Sequence, residues 1–100
     1  MPYVITFEDA PGTDKARKSS LRQTHTDYVT RHASRIIASG GLFPDEDDFP
    51  DGGLVILDAQ HRREAVEYIE NDPFFLHGIF KHYTIRRWKK FVFDHRRVTA

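Results

Sequence analysis

Residues 70–75 read Glu-Asn-Asp-Pro-Phe-Phe, and this stretch decides where the second half of the chain turns. Because proline lacks a backbone N–H and disfavours helix at the residue before it, a preceding helix should end by Asn71. Asp72 can then cap a new helical turn that has Pro73 at its first position. Alternatively, Asp72 faces His25, from far upstream, across a small pocket. The spacing alone leaves both interpretations open.

Hydrophobic patterning on either side of this turn predicts strands and helices in a simple order. Predicted strands cover residues 2–7, 36–42, 53–59 and 81–93, and predicted helices cover about 21–33 and 61–70, the first opened by a capping-box pattern over 20–23. This order is the split βαβ, or ferredoxin-like βαββαβ, arrangement: an α+β fold with a four-stranded antiparallel sheet and helices on one face. We expect one domain over residues 1–93 and a polar tail over 94–100 that frays.

The strand predicted over residues 53–59 is apolar on both of its faces. A strand that is buried on both sides needs a covering layer on each side. The helices of a 100-residue chain supply only one such layer. We therefore expect a second copy of the chain to supply the other layer, in a homodimer packed sheet face to sheet face.

Composition narrows the possible functions. The chain has 15 Lys and Arg, 15 Asp and Glu, and no Cys. A net charge of zero argues against a general nucleic-acid binder, and the late basic residues over 86–90 and 96–97 are more typical of a solvated face. Without cysteine there is no disulfide, thiolate nucleophile or cysteine-ligated metal. No apolar run approaches the roughly 20 residues of a membrane span and no signal-peptide pattern is visible, so the expected location is the cytoplasm.

His25 is the candidate centre of a functional site. The least charged stripe of the first predicted helix carries it toward the core, together with Leu21, Tyr28, Val29 and His32. A carboxylate beside the imidazole, such as Asp72, would orient the ring, fix its tautomer and stabilise its charged form, which suits proton transfer. The alternative is a core histidine bonded to a backbone carbonyl, with Asp72 acting only as a helix cap.

Several further residues are candidates for ligand binding. Phe74, Phe75 and Trp88 would line an apolar pocket for a ring-shaped ligand, or would simply pack in the core. Arg22, one turn before His25, would hold an anionic substrate group, or would lie on a solvated helix face. Tyr28, one turn after His25, would donate a hydroxyl proton or pack.

Metal and cofactor sites are not predicted. The acidic loop over residues 44–51 lacks the order of ligands found in an EF-hand, and its charge predicts an exposed and mobile segment. No His-x-His or His-Glu-x-x-His pattern appears, and Gly-rich phosphate loops are absent.

A series of short motifs runs through the chain in a fixed order. It comprises Arg22-x-x-His25-x-x-Tyr28, Ala38-Ser39-Gly40, Gly53, Ala65, Asn71-Asp72-Pro73-Phe74, Gly78 and Arg87-Trp88. With this order, the chain from Tyr3 to about Phe91 resembles the YciI-like (YCII-related) proteins, small dimeric α+β barrels. The resemblance implies a ferredoxin-like fold that dimerises through its sheets. It also implies an active site built on a His and an Asp, which correspond to His25 and Asp72.

The resemblance also indicates a range of activities. A few relatives are lyases that eliminate chloride from small chlorinated or hydroxylated compounds derived from aromatic rings, and most have no assigned reaction. This chain has Gly40-Gly41 where the family often has Gly-Pro, at the expected pocket rim. We expect either cofactor-independent proton transfer on a small organic compound, or a dimer that binds a small metabolite without reaction. A structural dimer with an inert His25 is the third possibility.

Overall fold

The computed structural model describes residues 1–98, and it has the predicted α+β architecture. The strands of the main sheet are β1 (Tyr3–Glu8), β2 (Ile36–Leu42), β3 (Gly52–Leu57) and β4 (Tyr83–Arg87). The helices are α1 (Lys15–Ser20), α2 (Arg22–Arg31), α3 (Arg62–Glu70) and α4 (Pro73–Leu76), with a 3-10 turn at Ala33–Arg35 and a small hairpin of β5 (Val92–Phe93) and β6 (Arg96–Arg97).

The sheet has the strand order β2-β3-β1-β4, and every neighbouring pair is antiparallel. Each helical connection therefore crosses over one strand, which is the split βαβ topology expected from the sequence. The ferredoxin-like fold is confirmed. The prediction for β2 agrees with the structure at both ends, and α3 begins one residue later than predicted.

One face of the sheet carries the hydrophobic core. Alternate residues of β1 (Tyr3, Ile5 and Phe7) are buried against the helices, where α3 contributes Ala65 and Ile69. The intervening β1 residues point to the opposite face, as the two-residue period of a strand requires. This opposite face has half-buried apolar residues at its centre, and they are Val4, Leu54 and Ile56.

The first predicted helix corresponds to α2, which begins one residue later and ends two residues earlier than predicted, and a separate helix, α1, that was not predicted lies before it. The structure has two helices, and the capping box expected at Ser20 is absent: the Ser20 hydroxyl donates to the carbonyl of Arg17 instead. The helical region begins earlier, where the Asp14 carboxylate accepts the N–H of Ala16. Leu21 separates the two helices, and its side chain packs against the core.

The last predicted strand is also too long. The Trp88 N–H donates to the carbonyl of Pro2, and β1 has no further residues to pair with, so β4 ends at Arg87. The chain then forms the β5–β6 hairpin, whose turn holds Asp94 and His95 at φ 51° and 68°. Positive φ at both turn residues is the requirement of a type I′ hairpin. The predicted tail therefore contains the second strand of this hairpin, and its last two residues lie outside the described part of the chain.

Across residues 1–98, none of the helices has the length and apolar character needed to cross a lipid bilayer.

Candidate active site

His25 and Asp72 are brought together by two helices that are far apart in the sequence. His25 lies in the middle of α2, and Asp72 is the N-cap of α4. Their side chains meet with 3.0 Å between His25 Nδ1 and Asp72 Oδ1. The same Oδ1 atom accepts the backbone N–H of Phe74 at 2.8 Å. Asp72 therefore caps a helix and contacts His25 at once, which unites the two interpretations that the sequence left open.

Asp72 is only 1% exposed, whereas a quarter of the His25 side chain (24%) reaches solvent. Because a backbone N–H already donates to Asp72 Oδ1, this atom is an acceptor, and the contact places a proton on His25 Nδ1. In the neutral imidazole the lone pair then lies on Nε2. Phe74 fixes the plane of the ring, since the two rings stack at 4.1 Å with 7° between their planes.

His25 opens onto a cleft of about 520 Å³ between α2 and the β2–β3 half of the sheet. One wall is α2, which contributes Arg22, His25 and Val29, and Phe74 also lines the cleft. The volume lies in the range of sites for small organic ligands. A partly exposed imidazole with an ordered carboxylate partner, at the wall of such a cleft, can transfer a proton to or from a bound molecule.

Glycines in β2 and β3 leave part of the cleft floor without side chains. Gly41 and Gly53 pair across β2 and β3 on the face that carries Val55 and the helices, so no side chain rises from the sheet there. The Phe7 ring takes part of that space, and a Cβ on Gly53 would lie 2.4 Å from it. Gly40 pairs with Leu54 on the opposite face and therefore lines the cleft with its backbone.

Lys18 also lines the cleft, and the sequence analysis did not predict it. It is 5% exposed, and its ammonium donates to Asp9 Oδ2 and to the carbonyl of Pro50, both at 2.7 Å. The missed signal was Asp14, a good N-cap residue followed by Lys-Ala-Arg-Lys, which marks a helix start. No signal in the sequence pairs Lys18 with Asp9, because they meet only after α1 folds back beside β1.

The acidic loop over residues 44–51 closes one side of the cleft. Its carboxylates at 45–48 are exposed as expected, but Asp48 and Pro50 line the cleft. Lys15 anchors the loop through Asp47 at 2.9 Å, and this hydrogen bond holds the pKa of the Asp47 carboxyl below its usual value. The Phe49 ring lies within about 6 Å of three cationic groups, which are Lys15, Lys18 and Arg22.

Three of the residues expected to bind a ligand do not line this cleft. Tyr28 is buried in the core, where its hydroxyl donates to the carbonyl of Tyr68 at 2.7 Å. Burial first, and then the charge of Asp72, raises the pKa of Tyr28, so the hydroxyl keeps its proton at neutral pH. Phe75 packs on Phe80 and Tyr83, and Trp88 packs on Phe93 of the hairpin.

Among residues 1–98, no three His, Cys, Asp or Glu side chains lie together as a metal site would need.

The fold resembles that of a solved structure. The 5-chloro-2-hydroxyhydroquinone dehydrochlorinase TftG from Burkholderia phenoliruptrix AC1100, in complex with 2,5-dihydroxybenzoquinone, is 26% identical with a TM-score of 0.78. That match covers 89% of this chain and 94% of the dehydrochlorinase. Protein Atu4242 from Agrobacterium tumefaciens is more distant, at 16% identity and a TM-score of 0.49, with 91% of this chain and 96% of that one covered. No protein with a curated description matches the chain.

The sequence itself matches a family model. The model describes the YCII-related domain, and it covers residues 1–89, which include the whole main sheet, all four helices, His25 and Asp72. The chain therefore belongs to the YCII-related family.

Proposed function

We propose that this protein is a cofactor-independent lyase of the dehydrochlorinase type, in which His25 is the general base for a small ring compound held in the cleft. The observation that carries the proposal is the 3.0 Å contact between His25 Nδ1 and the buried Asp72 carboxylate, at the wall of a ligand-sized cleft. This geometry leaves Nε2 as the basic nitrogen.

The chemistry that fits these groups is an elimination. Nε2 takes a proton from the substrate, and the electron pair of the broken bond forms a new π bond. The halide leaves with the electrons of its own bond, so the net loss is one hydrogen halide. Asp72 keeps Nδ1 protonated and stabilises the imidazolium that forms, which is what an orienting carboxylate supplies to a general base. Such a base contributes about a hundred- to ten-thousand-fold in rate.

The cleft supplies complementary groups for a flat, oxygen-bearing substrate. Phe74 offers the aromatic plane that already holds His25, and Arg22 offers a guanidinium at the mouth of the cleft. The backbone at Gly40 forms part of the rim. The likeness to a dehydrochlorinase captured with 2,5-dihydroxybenzoquinone, over 89% of this chain, supports a substrate of this size and shape.

The test is chloride release from 5-chloro-2-hydroxyhydroquinone. We expect the wild-type protein to release chloride, and His25→Gln to reduce the rate about a hundred- to ten-thousand-fold with an unchanged fold. Asp72→Asn should also reduce the rate, because an amide does not stabilise the imidazolium. His82→Gln is the matched control, since His82 is exposed in a loop outside the cleft, and it should keep the full rate.

Two outcomes would contradict the proposal. If His25→Gln released chloride as fast as the wild type, His25 would not be the base. If the wild type bound the compound, gained thermal stability and returned it unchanged, the chain would be a metabolite-binding module without catalysis.

We further propose that the active form is a homodimer packed through the open sheet face. Val4, Leu54 and Ile56 give this face an apolar centre that the helices of the same chain do not cover. Burying apolar surface of this kind is the main favourable term in subunit association.

A further inference from the structure

Lys18 is the most unusual charged residue in the cleft. Lysine is almost never fully buried unless it is paired, and Lys18 is 5% exposed. Its pairing is specific: the Asp9 carboxylate and the Pro50 carbonyl accept from the ammonium at 2.7 Å each. These two contacts fix the ammonium between β1 and the acidic loop, at a position that lines the cleft.

The two contacts leave part of the ammonium unused. A protonated lysine has three N–H donors, and within residues 1–98 only two hydrogen-bond acceptors engage them. The Lys18 Nζ atom also lies 5.5 Å from the centre of the Phe74 ring. That same ring stacks on His25, so one substituted ring in the cleft can lie within reach of both the imidazole and the ammonium.

The surroundings hold the charge in place. Asp9 is a nearly buried partner, and its second oxygen, Oδ1, is buried without a hydrogen-bond partner in the described part of the chain. Within residues 1–98, Lys18 is therefore the one hydrogen-bond partner of the Asp9 side chain, and its two acceptors hold the ammonium in one position. A donor fixed in this way stabilises negative charge without first having to reorganise.

We propose that Lys18 is the residue that binds the anionic oxygen of the substrate. This inference rests on the proposed function and names the substrate class of that site: a ring compound with an acidic hydroxyl group. When His25 takes a proton, negative charge grows on the ring oxygens, and the third N–H of Lys18 donates to one of them. Lys18 is thus a substrate-binding residue inside the cleft, whereas Arg22 lies at its exposed mouth.

The test compares two quinones of similar shape that differ in charge. The acidic probe is 2,5-dihydroxybenzoquinone, and its neutral counterpart is 2,5-dimethoxybenzoquinone; calorimetry gives Kd for each with the intact protein. In Lys18→Met, we expect affinity for the acidic quinone to fall about 10- to 100-fold, the loss typical of a charge-assisted hydrogen bond. The neutral quinone should change by less than about twofold, because it does not use the charge.

A second variant moves affinity in the opposite direction. Asp9→Asn keeps the shape and an acceptor oxygen but removes the negative charge beside Lys18, so the acidic quinone should bind more tightly while the neutral one is unchanged. If Lys18→Met fails to fold, Asp9→Asn by itself tests whether the Lys18 charge binds the acidic quinone.

The proposal is overturned if the wild type does not prefer the acidic quinone, if Lys18→Met weakens both quinones equally, or if Asp9→Asn gives no charge-dependent gain. These readings are independent of turnover. If the charge selectivity is found but no chloride is released, the lyase proposal fails and the role of Lys18 stands. If chloride is released without charge selectivity, the lyase proposal stands and the proposed role of Lys18 fails.

Discussion

Asp72 serves two partners with a single oxygen atom, and this fixes the site more firmly than either contact would alone. The N–H of Phe74 holds the carboxylate, the carboxylate holds His25, and the Phe74 ring stacks on His25. These three contacts together fix the position of the His25 imidazole. Pro73 supports this arrangement, because proline favours the first position of a helix and α4 begins directly after Asp72.

Tyr28 and Tyr68 provide a matched pair of buried hydroxyls. The Tyr28 hydroxyl donates to the carbonyl of Tyr68, near the end of α3. In a continuing helix the N–H of Asp72 would donate to this carbonyl, but it donates to the carbonyl of Ile69 instead. The Tyr68 hydroxyl is buried with no partner in the described part of the chain. We expect Tyr28→Phe to lower the free energy of unfolding by about 1–3 kcal/mol, because it leaves a buried carbonyl unpaired.

For Tyr68→Phe we expect no loss, or a small gain, since the hydroxyl it removes makes no hydrogen bond there. Urea unfolding of both variants gives the comparison. A loss in Tyr68→Phe as large as in Tyr28→Phe would show that the Tyr68 hydroxyl has a partner after all.

At the scale of elements, the short helix α1 matters because it carries Lys18 into the cleft. A helix of six residues is too short to be stable alone, so its cap and its packing must hold it. Asp14 supplies the cap, and Lys18 supplies the buried contact. The bend at Leu21 then lets α2 present His25 to the same cleft.

The cap is testable with a neighbouring control. Asp14→Ala should lower the free energy of unfolding by about 0.5–2 kcal/mol, because it removes the acceptor for the N–H of Ala16. Ser20→Ala should cost close to nothing, since Ser20 is exposed and caps no helix, although its sequence pattern resembles a capping box. Denaturant unfolding separates the two cases. The reverse order of losses would mean that the helix starts at Ser20.

At the scale of the whole molecule, the open face of the sheet predicts the assembly. Light scattering at micromolar concentration should give about twice the chain mass of 11.7 kDa. Ile56→Lys should give the mass of one chain, because a charge at the centre of an apolar interface is costly to bury. Gln60→Lys makes a similar change at an exposed position and should stay dimeric. A wild-type mass of one chain would refute the dimer.

The sequence by itself determined the order of the four main strands and of α2 and α3, together with two candidate residues of the site. The period of two in β1, the bounds of β2 and the stop at Asn71-Asp72-Pro73 follow from local steric and hydrogen-bonding rules, which need no distant partner. These rules, together with the helical stripe through His25, were enough for the fold and for His25 and Asp72 as candidates. The resemblance carried by the motifs agreed with the same two residues.

Only the tertiary structure decided the remaining members of the site. Tyr28 shares a helix face with His25, yet its hydroxyl donates to a carbonyl of α3 in the core. A helical stripe predicts which side of the helix is buried, but it does not predict which neighbour that side contacts. The end of β4 depends on where β1 runs out of partners, and the pairing of Lys18 with Asp9 depends on how α1 folds back on β1. Contacts between distant segments are set by packing and chain crossing, and local patterns in a single sequence carry no record of them.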